Sequence, residues 1–398
     1  MSLELIYRQE YGRILASLIR VVRDFSLAED ALQEAFATAQ ARWAGQTPPA
    51  NAVAWLMVTA RNKAIDQIRH RVMAQNKHEE MITLATPEES APQPADTLRL
   101  IFTCCHPSLN REAQVALTLH TVCGLTTEQI ARAFLVPTPT LAQRIVRAKT
   151  KIRVARIPYE VPEENQLSER LETVLAVIYL VFNEGYAASS GDEIIRRELC
   201  SDAISLARQL IALLPHDREP RALLALMLLT DARQPARTNA SGDLILLEEQ
   251  DRSLWNREKI DEGIRCIEEV LRRGPAGSYA VQAAIAALHA RASRAEETDW
   301  PQIAALYGVL AKLHPSPVIE LNRAVAIAMA EGPDQGLALL NNLALPNYHL
   351  LPAARADLLR RLGRREEAIR AYHDALELVG NAPERRFLER RLQELARP

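Results

Sequence analysis

The stretch that decides the fold of this chain is Thr126-Thr-Glu-Gln-Ile-Ala-Arg-Ala-Phe-Leu-Val-Pro-Thr-Pro-Thr-Leu-Ala-Gln-Arg-Ile-Val-Arg-Ala-Lys149. It predicts a short helix opened by a capping box between Thr126 and Gln129, a turn, and a second helix with Thr138 as N-cap and Pro139 in first position. Apolar residues suited to contact between the two helices are Ile130, Ala131, Leu141, Ile145 and Ala148. The pattern favours a DNA-reading helix-turn-helix (HTH) over a plain helical hairpin.

Charge is distributed unevenly around this stretch. The formal net charge is only −2, from 48 Lys and Arg against 50 Asp and Glu, which taken alone argues against a nucleic-acid ligand. Residues 1–157 hold 19 cations and 14 acids, a charge of +5, so residues 158–398 hold 29 and 36, a charge of −7. Between Glu128 and Glu160 there are seven cations and no acid. The asymmetry predicts a nucleic-acid surface in the first part only, although a solvated basic helix face has the same composition.

The second helix of the HTH carries the residues expected to contact DNA. An HTH places this helix in the major groove, where polar side chains read base edges and cations bind phosphates. The candidates are Thr138, Thr140, Gln143, Arg144, Arg147 and Lys149. Among them Lys149 is assigned to phosphate, together with Lys151 and Arg153.

The composition predicts an all-α protein. Among 398 residues there are 14 Gly, and aromatic residues make up 5%, apolar residues 48% and charged residues 25%. Little Gly and few aromatics favour helix over sheet, and this much apolar material excludes a wholly disordered chain. The longest apolar run, residues 173–182, is about half the length of a membrane-spanning helix. We therefore expect no membrane segment, and five cysteines without a leader sequence favour reduced thiols in the cytoplasm.

Prolines and polar stretches divide the first part of the chain into two helical modules. Residues 75–97 are polar, contain three prolines and are predicted to form a flexible linker. The modules on either side are residues 1–74 and 98–157, and two prolines near residue 160 end the second. In the first module, a Ser26–Glu29 capping box predicts the start of a helix that ends near Trp43.

Everything after about residue 160 is again helical and contains an internal repeat. A small or apolar residue is followed by apolar residues at +4 and +7 and, in three copies, by Pro at +12. The lead residues of five copies are Ala203, Gly263, Ile303, Gly336 and Ala368. The last three are 33 and 32 residues apart, close to the tetratricopeptide (TPR) period, and the earlier gaps of 60 and 40 indicate insertions. Residues 160–398 therefore predict a TPR-like α-solenoid, an interaction surface rather than a catalytic pocket; independent amphipathic helices are the alternative.

The chain resembles a known family at several motifs. Region 2 of the bacterial extracytoplasmic-function (ECF) RNA polymerase sigma factors is matched by Ala28-Glu-Asp-Ala-Leu-Gln-Glu-Ala-Phe36 and by Ala54-Trp-Leu-Met-Val-Thr-Ala-Arg-Asn-Lys-Ala-Ile-Asp66 with Arg69. Residues 98–156 resemble region 4 of the same family. Further motifs resemble the ECF subgroup with a TPR-like C-terminal extension: residues 100–107, 182–186, 249–252 and 321–325.

The resemblance implies a promoter-specificity subunit of RNA polymerase. The expected partners are the polymerase core, through its β′ and β subunits, and promoter DNA. The family docks on the β′ coiled coil at positions that match Asp30, Gln33, Glu34 and Phe36. It opens and reads the −10 element at positions that match Asn51, Trp55, Arg61, Asn62, Lys63, Asp66 and Arg69. The second HTH helix is expected to bind the −35 element, and Trp55 has a core position as its alternative.

Two other functions would account for part of this sequence. An HTH regulator with a TPR effector domain would bind duplex DNA without polymerase, but it needs neither of the region 2 motifs. An enzyme built on Cys104-Cys105-His106 lacks a phosphate loop, a nucleophile triad and a spaced carboxylate pair. Adjacent cysteines are poorly spaced for one metal ion and pack more readily as thiols at a helix end. We therefore expect neither catalysis nor a cofactor.

The acidic solenoid is expected to regulate the basic DNA reader to which it is tethered. Opposite charges on the two parts favour an intramolecular contact, and the short connection near residue 160 keeps the effective concentration high. A repeat surface also suits a separate protein partner. The resemblance to the ECF subgroup with this extension favours an extension that activates the sigma modules or binds a partner protein over one that inhibits them.

Overall fold

α-Helices make up the regular structure throughout the part of the chain that the computed structural model describes, residues 3–44, 49, 51–74, 93–134, 136–187, 197–239 and 241–396. Eighteen α-helices lie in these ranges, with one isolated antiparallel bridge between Thr238 and Leu244. The prediction of an all-α protein is confirmed. The chain divides into two compact units, Met1–Leu180 and Val181–Pro398.

The first unit contains two groups of helices. The N-terminal bundle consists of α1 (Leu3–Val22), α2 (Phe25–Arg42) and α3 (Ala52–Ala74). The HTH bundle consists of α4 (Pro94–Cys104), α5 (Arg111–Thr121), α6 (Thr127–Ala133) and α7 (Thr138–Val154). The next helix, α8 (Glu164–Tyr186), runs across residue 180, where the two units divide.

The start of α2 is set by an aspartate. The Asp24 carboxylate accepts a hydrogen bond from the backbone N–H of Leu27 at 2.9 Å, which makes Asp24 the N-cap. The predicted Ser26–Glu29 capping box is therefore wrong, because the helix has already begun at Phe25. The helix ends beside Trp43, as predicted.

The linker is shorter than predicted at its C-terminal end. Because α4 begins at Pro94, residues 93–97 belong to the HTH bundle and not to a linker over residues 75–97. Asp96 lies in the first turn of α4, fully buried, and accepts a hydrogen bond from the backbone N–H of Gln93 at 3.1 Å. Pro in the first turn with an acid close behind is a helix-start signal, and the proline-rich composition of this stretch obscured it. Residues 75–92 lie outside the described residues.

Ten further α-helices lie in the described part of the second unit. They are α9 (Arg197–Leu213), α10 (Glu219–Asp231), α11 (Arg257–Arg272), α12 (Ser278–Arg291), α13 (Trp300–Leu313), α14 (Pro317–Glu331), α15 (Pro333–Leu340), α16 (Leu350–Arg361), α17 (Arg365–Leu378) and α18 (Ala382–Ala396). The five predicted lead residues fall on alternate helices, from α9 to α17, and all are buried. The repeat therefore corresponds to helix pairs.

Two of the lead residues are glycines because neighbouring helices approach closely there. A Cβ atom on Gly263 would lie 2.7 Å from the Leu229 Cγ of α10. A Cβ atom on Gly336 would lie 2.4 Å from the Ala328 Cβ and 2.6 Å from the Ala324 carbonyl oxygen, both in α14. A small residue at the lead position thus permits the contact within a helix pair.

Because Gly336 lies at such a close approach and Gly308 does not, substituting each with Ala is expected to change stability in opposite directions. Gly336→Ala is expected to destabilise the second unit by about 1–2 kcal/mol, since overpacking against a backbone carbonyl outweighs the gain in helix propensity. Gly308→Ala, within α13, meets no atom within 4 Å and is expected to stabilise by about 0.5–1 kcal/mol. Urea denaturation of the full chain measures both. A change of the same sign in the two variants would contradict the packing argument.

The boundary between the modules and the repeat domain lies later than the predicted residue 160. The first part of α8 packs on the HTH bundle, where the Arg170 guanidinium donates a hydrogen bond to the Phe102 carbonyl oxygen at 2.8 Å. The division falls at residue 180, within α8. No helix within the described ranges is long and apolar enough to cross a membrane.

Candidate nucleic-acid interface

The HTH consists of α6 and α7, and short-range hydrogen bonds cap the start of α6. The backbone N–H of Thr126 donates to the Gln129 side chain at 2.8 Å, and the backbone N–H of Gln129 donates to the Thr126 hydroxyl at 3.2 Å. The predicted capping box is confirmed. The start of α7 is one residue from its predicted place: Pro137 is the N-cap, and Thr138 is already helical. Leu135, in the turn, lies outside the described residues.

One face of α7 is exposed and polar. Leu141, Ile145, Ala148 and Ile152 are buried against the rest of the HTH bundle. Thr140, Gln143 and Arg147 are exposed, and their spacing of three and four residues places them on one side of the helix. The side of α7 that the sequence predicts to read DNA is therefore accessible at these three residues.

Arg144 is held by a carboxylate beside this face. Its guanidinium contacts the Glu112 carboxylate at 2.7 Å, and about 27% of the Arg144 side chain is exposed. Glu112 lies in the first turn of α5 and is itself well exposed. An exposed ion pair of this kind is weak. The pairing therefore orients the Arg144 guanidinium but leaves it able to bind DNA.

Lys149 does not lie on the exposed face of α7, contrary to the prediction that it contacts DNA phosphate. Its ammonium group is paired with the Glu29 carboxylate of α2, and only 13% of its side chain is exposed. The ammonium nitrogen also lies 5.8 Å from the centre of the Phe25 ring. In this arrangement little of the Lys149 side chain is accessible to a phosphate, because the N-terminal bundle covers this side of α7.

Glu29 joins the two bundles. Its carboxylate is buried and contacts both Lys149 and the His120 Nε2 of α5, the latter at 2.8 Å; we call these three residues the Glu29 cluster. His120 Nδ1 lies 3.0 Å from the Leu125 carbonyl oxygen, so both ring nitrogens of His120 have partners. Burial acts to raise the pKa of Glu29, but the hydrogen bond from His120 and the charge of Lys149 outweigh it and lower the pKa.

A second buried carboxylate, Asp96, joins the same two bundles. It accepts hydrogen bonds from the Ser17 hydroxyl at 3.0 Å, from Arg20 at 2.9 Å and from Arg99 at 2.8 Å. Ser17 and Arg20 belong to α1, whereas Arg99 belongs to α4. The bundles also meet at backbone level, since a Cβ atom on Gly12 of α1 would lie only 2.3 Å from the Val122 carbonyl oxygen.

A polar stripe runs along α3. The predicted −10 residues Asn62, Asp66 and Arg69 are exposed and share one side of this helix with Val58, whose side chain is 50% exposed. Arg61 and Lys63 flank the stripe and are partly buried. Val58 is a surface residue that the sequence reasoning missed, since an apolar residue in a helix reads as core.

The N-terminal end of α3 places Trp55 at the edge of this stripe. The Trp55 ring is half-buried, with its centre 4.9 Å from that of Trp43, and Arg42 lies 5.9 Å from it. The residue is therefore neither in the core nor fully exposed. Asn51 caps the helix, because its side chain accepts a hydrogen bond from the backbone N–H of Ala54 at 3.1 Å.

The predicted polymerase-binding residues of α2 divide into two sets. Asp30, Gln33 and Glu34 are exposed, and the Glu34 carboxylate accepts a hydrogen bond from Lys63 of α3 at 3.2 Å. Phe36 is only 7% exposed and packs edge-on against the Tyr7 ring, with centres 4.9 Å apart. The structure places Phe36 in the core of the N-terminal bundle, which leaves the polar residues as the accessible part of this surface.

The adjacent cysteines pack as thiols at the end of α4. Cys104 and Cys105 are fully buried, and their sulfur atoms lie 3.1 Å from the Thr121 hydroxyl and 3.6 Å from the Thr118 hydroxyl respectively. Burial raises the pKa of both, that of Cys105 to about 11. Within the part of the chain that the structure describes, no group of His, Cys, Asp and Glu is arranged to hold a metal ion.

Comparisons with known proteins match all three parts of the chain. Sigma-70 region 2 matches residues 6–72, and Sigma-70, region 4 matches residues 99–152. A family of unknown function (DUF6596) matches residues 170–271. The RNA polymerase sigma factor CarQ of Myxococcus xanthus is 31% identical over 132 residues, which cover 32% of this chain and 74% of CarQ. An uncharacterized protein of Rhizobium meliloti (strain 1021) is 43% identical over 393 residues, 96% of this chain and 93% of that protein.

A region 2 followed by a region 4 defines the sigma-70 class of transcription proteins. The chain belongs to this family, and it is an ECF-type RNA polymerase sigma factor with a helical C-terminal extension. Its domains imply binding to RNA polymerase core and to promoter DNA, and sigma factors regulate transcription without being enzymes. Nothing in these matches favours a regulator that acts without polymerase.

Proposed function

We propose that α3 reads the −10 element and α7 the −35 element of the promoters that this sigma factor selects. The observation that supports this most directly is the pair of exposed polar helix faces in one folded unit. The α7 face offers Gln143 and Arg147, whose side chains suit base edges in the major groove. The α3 stripe offers Asn62 and Arg69, next to a half-buried Trp55 on which an unstacked base can stack.

The polar surface of α2 is proposed to bind the polymerase β′ subunit. Asp30, Gln33 and Glu34 are exposed there without an exposed aromatic anchor. Such a surface speeds the encounter with a binding partner and fixes the orientation in which the two bind, and it contributes less to the binding affinity. Region 4 is proposed to contact the β subunit, as the family resemblance implies.

Promoter binding requires the two bundles to separate. The −10 and −35 elements are about 25 base pairs apart, which at about 3.4 Å per base pair is roughly 80 Å. In the present arrangement α2 and α7 touch through Glu29 and Lys149. The 18 residues 75–92 that join the bundles have a covalent reach of at most about 60 Å, and the 23-residue α3 before them adds about 35 Å. We infer that the described arrangement is a closed state, and that polymerase and promoter stabilise an open one.

The helical extension is proposed to regulate this sigma unit, by binding either the unit itself or a protein partner. Residues 158–398 carry −7 and residues 1–157 carry +5, and at the division after residue 180 the charges of the two parts are −3 and +1. Opposite charges of this size favour association and are screened by salt.

Transcription from a reconstituted holoenzyme tests the proposed function. The full chain mixed with core polymerase is expected to start transcripts at promoters that core alone ignores, and selection from fragmented genomic DNA identifies those promoters. The transcript yield should fall steeply with salt, because phosphate contacts release counterions. If no fragment from a genome-wide selection supports a transcript that depends on this chain, the proposal fails.

A further inference from the structure

One inserted segment of the helical extension lies against distant helices of the same unit. The 60-residue gap between the first two lead residues contains residues 242–249, Gly-Asp-Leu-Ile-Leu-Leu-Glu-Glu, which we call the strap. The strap is not helical, and its backbone is tied at one end, where the N–H of Ile245 donates to the Arg237 carbonyl oxygen at 2.9 Å.

Arginines from two later helices bind the acidic side chains of the strap. Arg386 of α18 contacts Asp243 at 2.7 Å and also donates to the Gly242 carbonyl oxygen at 3.2 Å. Arg391 of α18 contacts Glu249 at 2.9 Å. Arg361 of α16 contacts Glu248 at 3.4 Å while it also pairs with Asp357 of its own helix. Each contact bridges more than 110 residues of sequence.

The leucines of the strap border two cavities in the same unit. A cavity of about 320 Å³ is lined by Leu244 and Leu246 of the strap and by apolar residues of α14, α16 and α18, among them Phe387. A second cavity, of about 600 Å³, is lined by Leu246 and Leu247 and by Trp300 of α13. The strap leucines are only partly buried. The groove between these helices is therefore lined by apolar side chains together with charged ones, and the strap covers it without filling it.

The side chains of the strap hold it weakly to the helices, although backbone hydrogen bonds tie Asp243 to Asn239 at 3.0 Å and Ile245 to Arg237 at 2.9 Å. The segments before and after the strap are held firmly. The acidic side chains of the strap remain 25–47% exposed in their ion pairs, and ion pairs of this exposure contribute little to stability and weaken with salt. After the strap, Arg252 is buried and donates hydrogen bonds to the His289 and Ala292 carbonyl oxygens at 2.8 and 2.7 Å. Before it, Arg237 lies 4.0 Å over the Tyr186 ring.

We propose that this groove is a docking site for an extended, acidic, leucine-bearing segment of a partner protein, which replaces the strap. The bound strap shows the chemistry of the occupant: carboxylates at the spacing of the three arginines and leucines directed at the two cavities. The weak hold on the strap, between firm ends, lets it leave while the helices around it stay folded. This site belongs to the second unit and does not rest on the promoter contacts proposed above.

A fluorescent peptide of residues 242–250 tests this site on the full chain. The strap is released by the triple substitution Asp243→Ala, Glu248→Ala and Glu249→Ala, which leaves Arg252 in place. Fluorescence anisotropy is expected to show the peptide binding the released chain about tenfold more tightly than the unaltered chain, whose own strap competes. Adding Arg386→Glu and Arg391→Glu to the released chain should abolish binding. A peptide with Asn and Gln in place of its Asp and Glu should bind at least tenfold more weakly.

Three results would overturn the proposal. The first is no peptide binding to a released chain whose circular dichroism and unfolding midpoint match those of the unaltered chain. The second is binding that the two Arg substitutions leave unchanged. The third is competition by a single-stranded RNA oligonucleotide at lower concentration than unlabelled peptide, which would assign the arginines to a nucleic acid. None of these readouts involves transcription, so failure here is distinct from failure of the sigma function.

Discussion

Replacing Glu29 with Gln is expected to raise the affinity of the full chain for a −35 duplex by about tenfold in the absence of polymerase. The substituted amide keeps the size of the side chain but leaves Lys149 without a counter-charge in a buried site and removes the carboxylate that His120 contacts. Breaking a buried ion pair from one side costs about 3–5 kcal/mol, and this cost falls on the closed arrangement alone. This cost is more than enough to open a chain that is about 90% closed, so the open fraction rises to nearly one and the apparent affinity rises about tenfold with it. Fluorescence anisotropy with a labelled duplex measures it.

A steric variant separates this explanation from a simple change of charge. Gly12→Ala would place a methyl group 2.3 Å from the Val122 carbonyl oxygen, which pushes the bundles apart and leaves every charge in place. It is expected to raise the affinity for the same duplex as Glu29→Gln does. If Glu29→Gln raises affinity and Gly12→Ala does not, the removed negative charge explains the gain and the closed-state proposal fails.

A double substitution provides the internal control for the Glu29 cluster. Lys149→Met alone leaves Glu29 buried and unpaired except for His120, so it is expected to destabilise the first unit. Combining it with Glu29→Gln removes both charges, and the loss should be smaller than the sum of the two single losses. Additive losses in urea denaturation would show that the two side chains do not interact.

Arg147→Ala is expected to lower the transcript yield from a promoter selected by the holoenzyme by about 10–100-fold. Arg147 is exposed at the centre of the α7 face, and a bidentate contact between arginine and a base contributes about 1–3 kcal/mol of discrimination. The loss should be smaller on promoters with a changed −35 base, because the contact is already missing there. Single-round transcription on both templates measures it.

Lys151→Ala is the matched comparison for Arg147→Ala. Lys151 is an exposed cation near the end of the same helix, and as a phosphate contact it should weaken binding to all sequences alike and reduce the salt slope by about one. Val154→Ala, at a side chain that is 74% exposed at the last position of α7, is expected to change neither quantity. If Arg147→Ala lowers the transcript yield equally on every promoter, Arg147 binds phosphate and does not read a base.

Features that depend on neighbours in sequence were predictable. The capping box of α6 needs only Thr126 and Gln129, and both of its hydrogen bonds are present. The periodic apolar residues of α7 are likewise buried as expected. Helix starts were less certain, because Asp24 and Ser26 both suit an N-cap and only the position of the preceding helix decides between them.

Contacts between helices distant in sequence were not predictable from one chain. Lys149 lies in a basic run, and nothing near it in sequence shows that α2 covers it. Glu29 was interpreted as part of a capping box, although it is 91 residues from His120 and 120 from Lys149. Phe36 suited an exposed anchor only because Tyr7, which packs on it, lies one helix away.

The two thiols at the end of α4 give the HTH bundle a reporter of its own opening rate. Alkylating reagents attack the thiolate, and burial both raises the pKa of Cys104 and Cys105 and covers their sulfur atoms. Alkylation of the native chain at these positions must therefore wait for α4 and α5 to part, so its rate reports the opening rate at reagent concentrations high enough for alkylation to outpace reclosing. The pair that suggested metal or redox chemistry instead measures how often this bundle opens.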